Sequence, residues 1–130
     1  MLFKDGDLAA ELVLAPKELR EVAHDLDDAM EAAGLGPAII TDVGRTLDFY
    51  DDGTEWSWHL VYSALDIRTR HLSLAKKLFV RDWLIRRCAD DSRFNVVLEM
   101  KAKRGEHLHI EFEDAARKAA WLAQRKAGAA

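Results

Sequence analysis

The chain has 130 residues, of which 49% are hydrophobic and 32% charged, and its formal net charge is −4. This length suits one domain with a real core. The acidic balance argues against a dedicated nucleic-acid binder, because such domains usually carry a basic excess. No apolar run approaches the length of a membrane span, and the acidic start "MLFKDGDLAAELVL" does not suit a signal peptide. We therefore expect synthesis in the cytoplasm.

The first half of the chain predicts a helix, a strand and a loop. Apolar residues recur at helical spacing through residues 15–37, where Pro16 suits the first turn and Gly34 the C-terminal cap. The apolar run Ala38–Thr41 predicts a buried strand. Residues Asp48–Ser57 have the composition of an exposed loop.

The second half predicts three strands and two helices. Ser63–Arg68 alternates as a strand does, and Ser73 is a suitable N-cap for the helix that follows. Asn95–Met100 and His107–Phe112 predict a hairpin joined by "KAKRGE", and Asp114 can cap a closing helix. This order indicates an α+β fold with a small, mostly antiparallel sheet and flanking helices.

Seven basic residues crowd the segment Arg68–Arg87. Such a run is typical of a solvated helix face, although a polyanionic substrate can also use one. The single cysteine, Cys88, excludes an intrachain disulfide and a zinc finger built from thiolates. Its apolar helical setting favours a packed residue over a nucleophile.

Two short stretches carry the residue types of a metal site. In "SWHLVYSALDIR", His59 closes a polar loop and Asp66 interrupts an apolar strand. A carboxylate there is costly to bury without a cation, which a metal, Arg45 or Arg68 can supply. The second stretch, "GEHLHIEF", holds two histidines and two glutamates. By its composition alone it fits either a strand with a polar face or half of a metal site.

Together the two stretches resemble the motifs of the zinc peptidases with the hedgehog/D-Ala-D-Ala peptidase fold. That family includes D-alanyl-D-alanine carboxypeptidases, D-Ala-D-Ala dipeptidases and phage L-alanyl-D-glutamate endolysins. Its motif S-x-H-x-x-G-x-A-x-D is similar to the stretch from Ser57 to Asp66, and its second motif is similar to Glu106, His109 and Glu111. The motifs occur in the family's order, and the resemblance covers about residues 38–113.

The resemblance implies that His59, Asp66 and His109 are ligands of Zn²⁺. It implies that Glu106 is the catalytic acid and base, which takes a proton from water and returns it to the leaving amine. Two neutral imidazoles and one carboxylate leave the zinc with net positive charge, so that it can lower the pKa of bound water. Ser57 matches the motif serine, which is expected to brace the ligand loop.

Other family features fit less closely. The family places an Arg or Gln before the first ligand to stabilise the oxyanion, and Arg45 is the best-placed candidate. The family's glycine is here Tyr62. The loop is then rebuilt locally, or Tyr62 contacts the substrate, or the site is altered. Trp56 and Trp58 are either core residues or line the mouth of the cleft.

Strand parity tests the second motif. In a regular strand His107, His109 and Glu111 share one face, whereas Glu106 points to the other. Glu106 can therefore meet His109 only if it lies in the turn before the strand, which Gly105 makes plausible. The same parity leaves His107 as a rival ligand or a substrate contact, and Glu111 as a supporting or substrate residue.

The leading hypothesis is a zinc metallopeptidase of phage or prophage type, a single domain that cleaves D-Ala-D-Ala or L-Ala-D-Glu bonds of peptidoglycan and acts on the cell wall after release. The alternative is a non-catalytic zinc-binding module of the same fold. Tyr62 favours the module and Glu106 the enzyme. The plainest reading is an α+β domain whose histidines coincide by chance.

Overall fold

A computed structural model describes residues 1–44, 56–100 and 105–129. Within these ranges the chain forms five β-strands and four α-helices. In chain order they are β1 (Leu2–Phe3), α1 (Asp7–Val13), α2 (Lys17–Ala32), β2 (Ile39–Asp42), β3 (Ala64–Arg68), α3 (Leu74–Arg87), β4 (Phe94–Glu99), β5 (His107–Phe112) and α4 (Ala115–Ala129). A short 3-10 helix, Trp58–Val61, precedes β3.

The strands form one sheet in the order β1-β2-β3-β5-β4. All neighbouring pairs are antiparallel except β1 with β2. The α+β class with a mostly antiparallel sheet is therefore confirmed. Because β5 lies between β3 and β4, the two motif-bearing strands are direct neighbours.

One face of the sheet is apolar and packs against helix α2. Leu65 and Ile67 of β3 oppose Ile110 and Leu108 of β5, and all four side chains are fully buried. They share a core cluster with the apolar stripe of α2, formed by Leu19, Val22, Ala23, Leu26 and Met30. Burial of this stripe is the main reason that α2 forms as the long amphipathic helix its spacing predicts.

The other face of β3 and β5 carries the polar residues. Successive side chains of a strand point to opposite faces, and directly opposed residues share a face. Asp66 opposes His109, and the neighbouring opposed pairs are Arg68 with His107 and Ala64 with Glu111. The apolar alternation that fixes the core thus also brings Asp66 and His109 together.

The predicted helix caps are present. The Ser73 hydroxyl accepts a hydrogen bond from the Lys76 N–H at the start of α3. The Asp114 carboxylate accepts one from the Arg117 N–H in the first turn of α4. The helix at α2 ends before Gly34, whose φ of +72° is the left-handed conformation that favours glycine.

Two elements, β1 and α1, were not predicted.

No helix in the described ranges combines the length and apolarity that crossing a bilayer requires. Most of the predicted loop Asp48–Ser57, and the centre of the predicted hairpin turn, lie outside the described residues.

Candidate metal centre

Asp66 and His109 form the base of the candidate centre. They face each other across β3 and β5, and His109 Nδ1 lies 2.9 Å from Asp66 Oδ1. Only 3% of Asp66 is exposed. A carboxylate so deeply buried requires cationic or hydrogen-bonding partners.

His59 reaches the same carboxylate from the 3-10 helix. The Ser57 hydroxyl caps this helix by accepting a hydrogen bond from the His59 N–H, at 3.2 Å. The imidazole is fully buried, with Nδ1 2.6 Å from the carbonyl oxygen of Val43 and Nε2 3.3 Å from Asp66 Oδ1. Because a carbonyl only accepts, Nδ1 donates, and Nε2 is the ring nitrogen that a metal ion could take as its ligand.

These three residues have the donor set and spacing of a metal site. One ligand atom from each of His59, Asp66 and His109 can be chosen so that all lie within 4.8 Å of one another. A tetrahedral zinc ion with bonds of about 2.0–2.1 Å needs ligand atoms roughly 3.4 Å apart. The separations of 2.9 and 3.3 Å to Asp66 Oδ1 are both shorter than that value, by no more than about 0.5 Å. The group can therefore hold a metal ion with small adjustments.

The electrostatics of the group also favour a cation. Burial acts to raise the pKa of Asp66, but hydrogen bonds from His109 and His59 outweigh it and hold that pKa well below its ordinary range. For His109, burial lowers the pKa, but Asp66 and Glu111 outweigh it and raise the pKa to about 9. Without a metal, a proton on His109 thus partly balances the buried carboxylates.

Glu111 supports His109 from the far side of the ring. His109 Nε2 lies 3.0 Å from Glu111 Oε1. With Nε2 engaged there, Nδ1 is the atom left to face Asp66 and His59. A carboxylate that orients a ligating histidine in this way is a regular feature of zinc sites.

His107 lies beside the group but not within it. Its Nδ1 is 2.9 Å from the Gly105 carbonyl oxygen. Its Nε2 is 3.6 Å from Asp66 Oδ2 and 3.1 Å from Glu99 Oε2. The rivalry between the two histidines of "HLH" is thus resolved geometrically in favour of His109 as the member of the three-residue group.

Glu106 lies in the bend before β5, as parity requires, but its carboxylate has other partners. Oε1 is 2.6 Å from Lys77 Nζ of α3 and accepts a 2.9 Å hydrogen bond from the Thr69 hydroxyl. Lys77 first, and then Thr69, hold the pKa of Glu106 below its ordinary value. The structure thus places this carboxylate in an ion pair with α3, and a lowered pKa makes it a weaker base.

Tyr62 keeps the backbone that a glycine would supply. Its φ of 58° and ψ of 26° are left-handed, and it ends the 3-10 helix. The ring lies against Gly44, where an added Cβ would come within 2.2 Å of Tyr62 Cε1. The left-handed backbone is thus present at Tyr62, and the absent side chain of Gly44 makes room for the ring.

The remaining predicted residues are Arg45, Trp56 and Trp58. Arg45 is outside the described residues. Trp56 packs edge-to-face on Trp58 and on Trp121 of α4, with ring centroids 5.4 and 5.2 Å apart. These two tryptophans therefore belong to an aromatic cluster with α4.

A cavity of about 320 Å³ opens beside the group, with Asp66 and His107 in its wall. Five carboxyl groups line it: Asp5, Asp7, Glu11, Asp42 and Asp66. Burial, followed by the charge of Asp42, raises the pKa of Glu11. The cavity is thus a strongly acidic approach to the candidate centre.

Sequence reasoning missed several of these participants. Packing of strands and helices brings three further residues into contact with the site: Val43, Glu99 and Lys77. No local sequence pattern predicts these contacts. The acidic wall comes partly from α1, which was itself not predicted. The sequence feature that could have predicted this acidic wall is the repeated acidic residues of the N-terminal segment "KDGDLAAE".

Comparison of the chain with protein-family models, curated proteins and solved structures finds no significant match. The geometry of the candidate centre and the two motifs therefore carry the functional argument.

Proposed function

We propose that this protein is a zinc-dependent peptidase that hydrolyses stem peptides of peptidoglycan, at bonds of the D-Ala-D-Ala or L-Ala-D-Glu type. The carrying observation is the convergence of His59, Asp66 and His109 within 4.8 Å. The resemblance of their motifs to those of the hedgehog/D-Ala-D-Ala peptidase fold had singled out the same three residues. We also propose that the chain has the hedgehog/D-Ala-D-Ala peptidase fold.

The donor set fits zinc. His59 and His109 offer nitrogen and Asp66 offers oxygen, and three protein ligands leave a fourth position open for chemistry. When bound, zinc supplies Lewis-acid chemistry, which polarises a carbonyl and lowers the pKa of water. Val43 and Glu111 hold the two imidazoles in orientation from behind.

Proton transfer has two candidates. The resemblance assigns it to Glu106, whose carboxylate is paired with Lys77. His107 instead lines the acidic cavity, and its Nε2 lies 3.6 Å from Asp66 Oδ2. Nε2 also lies 3.1 Å from Glu99 Oε2, and its place in the cavity wall allows it to exchange a proton with a group bound there. These distances favour His107.

The test is release of peptides from purified peptidoglycan by the zinc-loaded protein. Asp66→Asn should abolish cleavage. Because a general acid or base typically contributes about 10²–10⁴-fold in rate, we expect His107→Gln to lose at least about a hundredfold and Glu106→Gln to lose less. The reverse order would return the role to Glu106. Exposed His24 provides a matched control, His24→Gln, which should cleave normally.

The second candidate is a non-catalytic zinc-binding module of the same fold. The ion pair between Glu106 and Lys77 favours it, because a purely structural site needs no free carboxylate. Stoichiometric zinc binding without cleavage of intact peptidoglycan, or of its isolated stem peptides, would select this alternative and refute the peptidase.

A further inference from the structure

A second, basic cleft adjoins the acidic cavity at the end of β3. Its volume is about 60 Å³. The two clefts share Lys4, Thr41 and His107. The remaining wall of the small cleft is formed by Arg68, Arg70, Gly105 and Glu106. The small cleft is therefore continuous with the approach to the candidate metal centre.

The basic side chains of this cleft are uncompensated. Among the described residues, neither Lys4, Arg68 nor Arg70 forms a side-chain hydrogen bond or ion pair. The one carboxylate in the wall, Glu106, is already neutralised by Lys77 and hydrogen-bonded by Thr69. Three positive charges thus line a small cleft, and none of them forms an ion pair with a carboxylate in the described part of the chain.

The pKa of the neighbouring His71 is affected by the same positive charges. Burial lowers its pKa, and the charges of Arg68 and Arg70 lower it further. Unpartnered arginines beside a cleft are suited to carboxylates, because the guanidinium group binds both oxygens through two parallel hydrogen bonds.

The register fixes the distance of this cleft from the metal centre. Arg68 opposes His107, and it lies two residues beyond Asp66 on the same face of β3. Two residues of a strand span about 7 Å, which is also the length of about two residues of an extended peptide. A peptide carbonyl at the metal centre would thus place a group one or two residues away in the basic cleft.

We propose that Lys4, Arg68 and Arg70 form a subsite that binds a free carboxylate of the substrate, one or two residues from the cleaved bond. The proposal rests on the proposed function for its peptide substrate. The acidic wall of the larger cavity repels an anion, so the carboxylate is directed to the basic end and fixes the direction of the peptide.

The carboxylate can be the C-terminus of the peptide or an internal acid such as that of a glutamate residue. Three ligands distinguish these sources: acetyl-D-alanyl-D-alanine, its C-terminal amide, and an amide-ended acetyl peptide with one glutamate carboxylate. Binding of each to the purified zinc-loaded protein is measured by calorimetry, so that the result does not depend on cleavage.

The variants are Arg68→Gln and Arg70→Gln, with Lys76→Gln as the control. Arg70 and Lys76 are both exposed, so each change removes one charge without disturbing the core. We expect Arg68→Gln to weaken binding of a carboxylate ligand at least about tenfold, because it removes a hydrogen bond between charged groups, and the more exposed Arg70→Gln to weaken it about fivefold. Lys76→Gln should stay within about twofold.

Three results would overturn the subsite: equal affinity for the amide and both carboxylate ligands, equal losses in Lys76→Gln and Arg70→Gln, or no binding by the wild type at millimolar ligand. Cleavage is scored separately. Carboxylate binding without any cleavage would refute the proposed function but support the subsite. Cleavage by the wild type, with ligand binding unchanged in the two arginine variants, would support the proposed function but refute the subsite.

Discussion

Asp66 organises the candidate centre because two imidazole nitrogens converge on one of its oxygens. His109 Nδ1 and His59 Nε2 lie 2.9 and 3.3 Å from Oδ1. In the absence of a metal, His109 carries the balancing proton, as its raised pKa of about 9 implies. A zinc ion would take over that role from the proton.

Zinc binding should therefore release a proton. Near neutral pH the metal-free His109 is protonated, because its pKa is raised to about 9, and a ligating Nδ1 must lose its proton. Zinc affinity should accordingly rise with pH up to about 9 and then level off. Calorimetry at about pH 7.5 in buffers of different ionisation enthalpy measures the release, which we expect to approach one proton.

The matched control is Glu111→Gln, which removes one of the carboxylates that raise the pKa of His109. It should reduce proton release. An apparent binding enthalpy that does not change with the buffer would contradict the proton exchange.

Among the individual site residues, the ligand candidates were predicted from the sequence, but the contacts of Glu106 were not. His59, Asp66 and His109 were identified by the resemblance of their motifs, and the register of β3 with β5 makes two of them neighbours. The pairing of Glu106 with Lys77 depends instead on where α3 packs, which no local pattern specifies.

The 3-10 helix ends on a non-glycine residue with a left-handed backbone. Tyr62 takes the left-handed conformation at its end, which costs a non-glycine residue about 1–2 kcal/mol. Packing of the ring against the core and over Gly44 offsets that cost. The conformation matters because this helix carries His59.

Gly44→Ala should therefore destabilise the protein. The new methyl group would lie 2.2 Å from the Tyr62 ring, and overpacking of this kind typically costs about 1–3 kcal/mol. Urea unfolding measures the free energy. Gly6→Ala is the control, because an added Cβ there meets nothing within 4 Å.

The clash can be separated from other effects by a double variant. If Tyr62→Ala makes room for the methyl group, Gly44→Ala should cost less in that background than in the wild type. Equal costs in the two backgrounds would show that the ring and the glycine are not coupled.

The elements themselves were predictable where their patterns are long. Helix α2 has an apolar stripe over 16 residues, and β5 alternates over six. In contrast, α1 has seven residues and β1 only two. Elements this short depend on tertiary contacts, such as the parallel pairing of β1 with β2, and carry little periodicity of their own.

For the whole molecule, sheet topology explains how distant motifs form one site. Asp66 and His109 are 43 residues apart in sequence, and the placement of β5 beside β3 makes them neighbours. The α+β class followed from the order of the elements. The strand order and the adjoining acidic and basic clefts did not, because they arise only when β1 and β2 join the sheet and α1 packs beside β2.

The most direct test of the account is the zinc content of the protein after equilibration with zinc and removal of the unbound metal. We expect about one zinc ion per chain in the wild type and in His24→Ala, and less than about a tenth in His109→Ala and Asp66→Asn. Zinc at about a hundred times its dissociation constant should also stabilise the wild type by about 2.7 kcal/mol. A wild type without stoichiometric zinc, or ligand variants that keep it, would contradict the account.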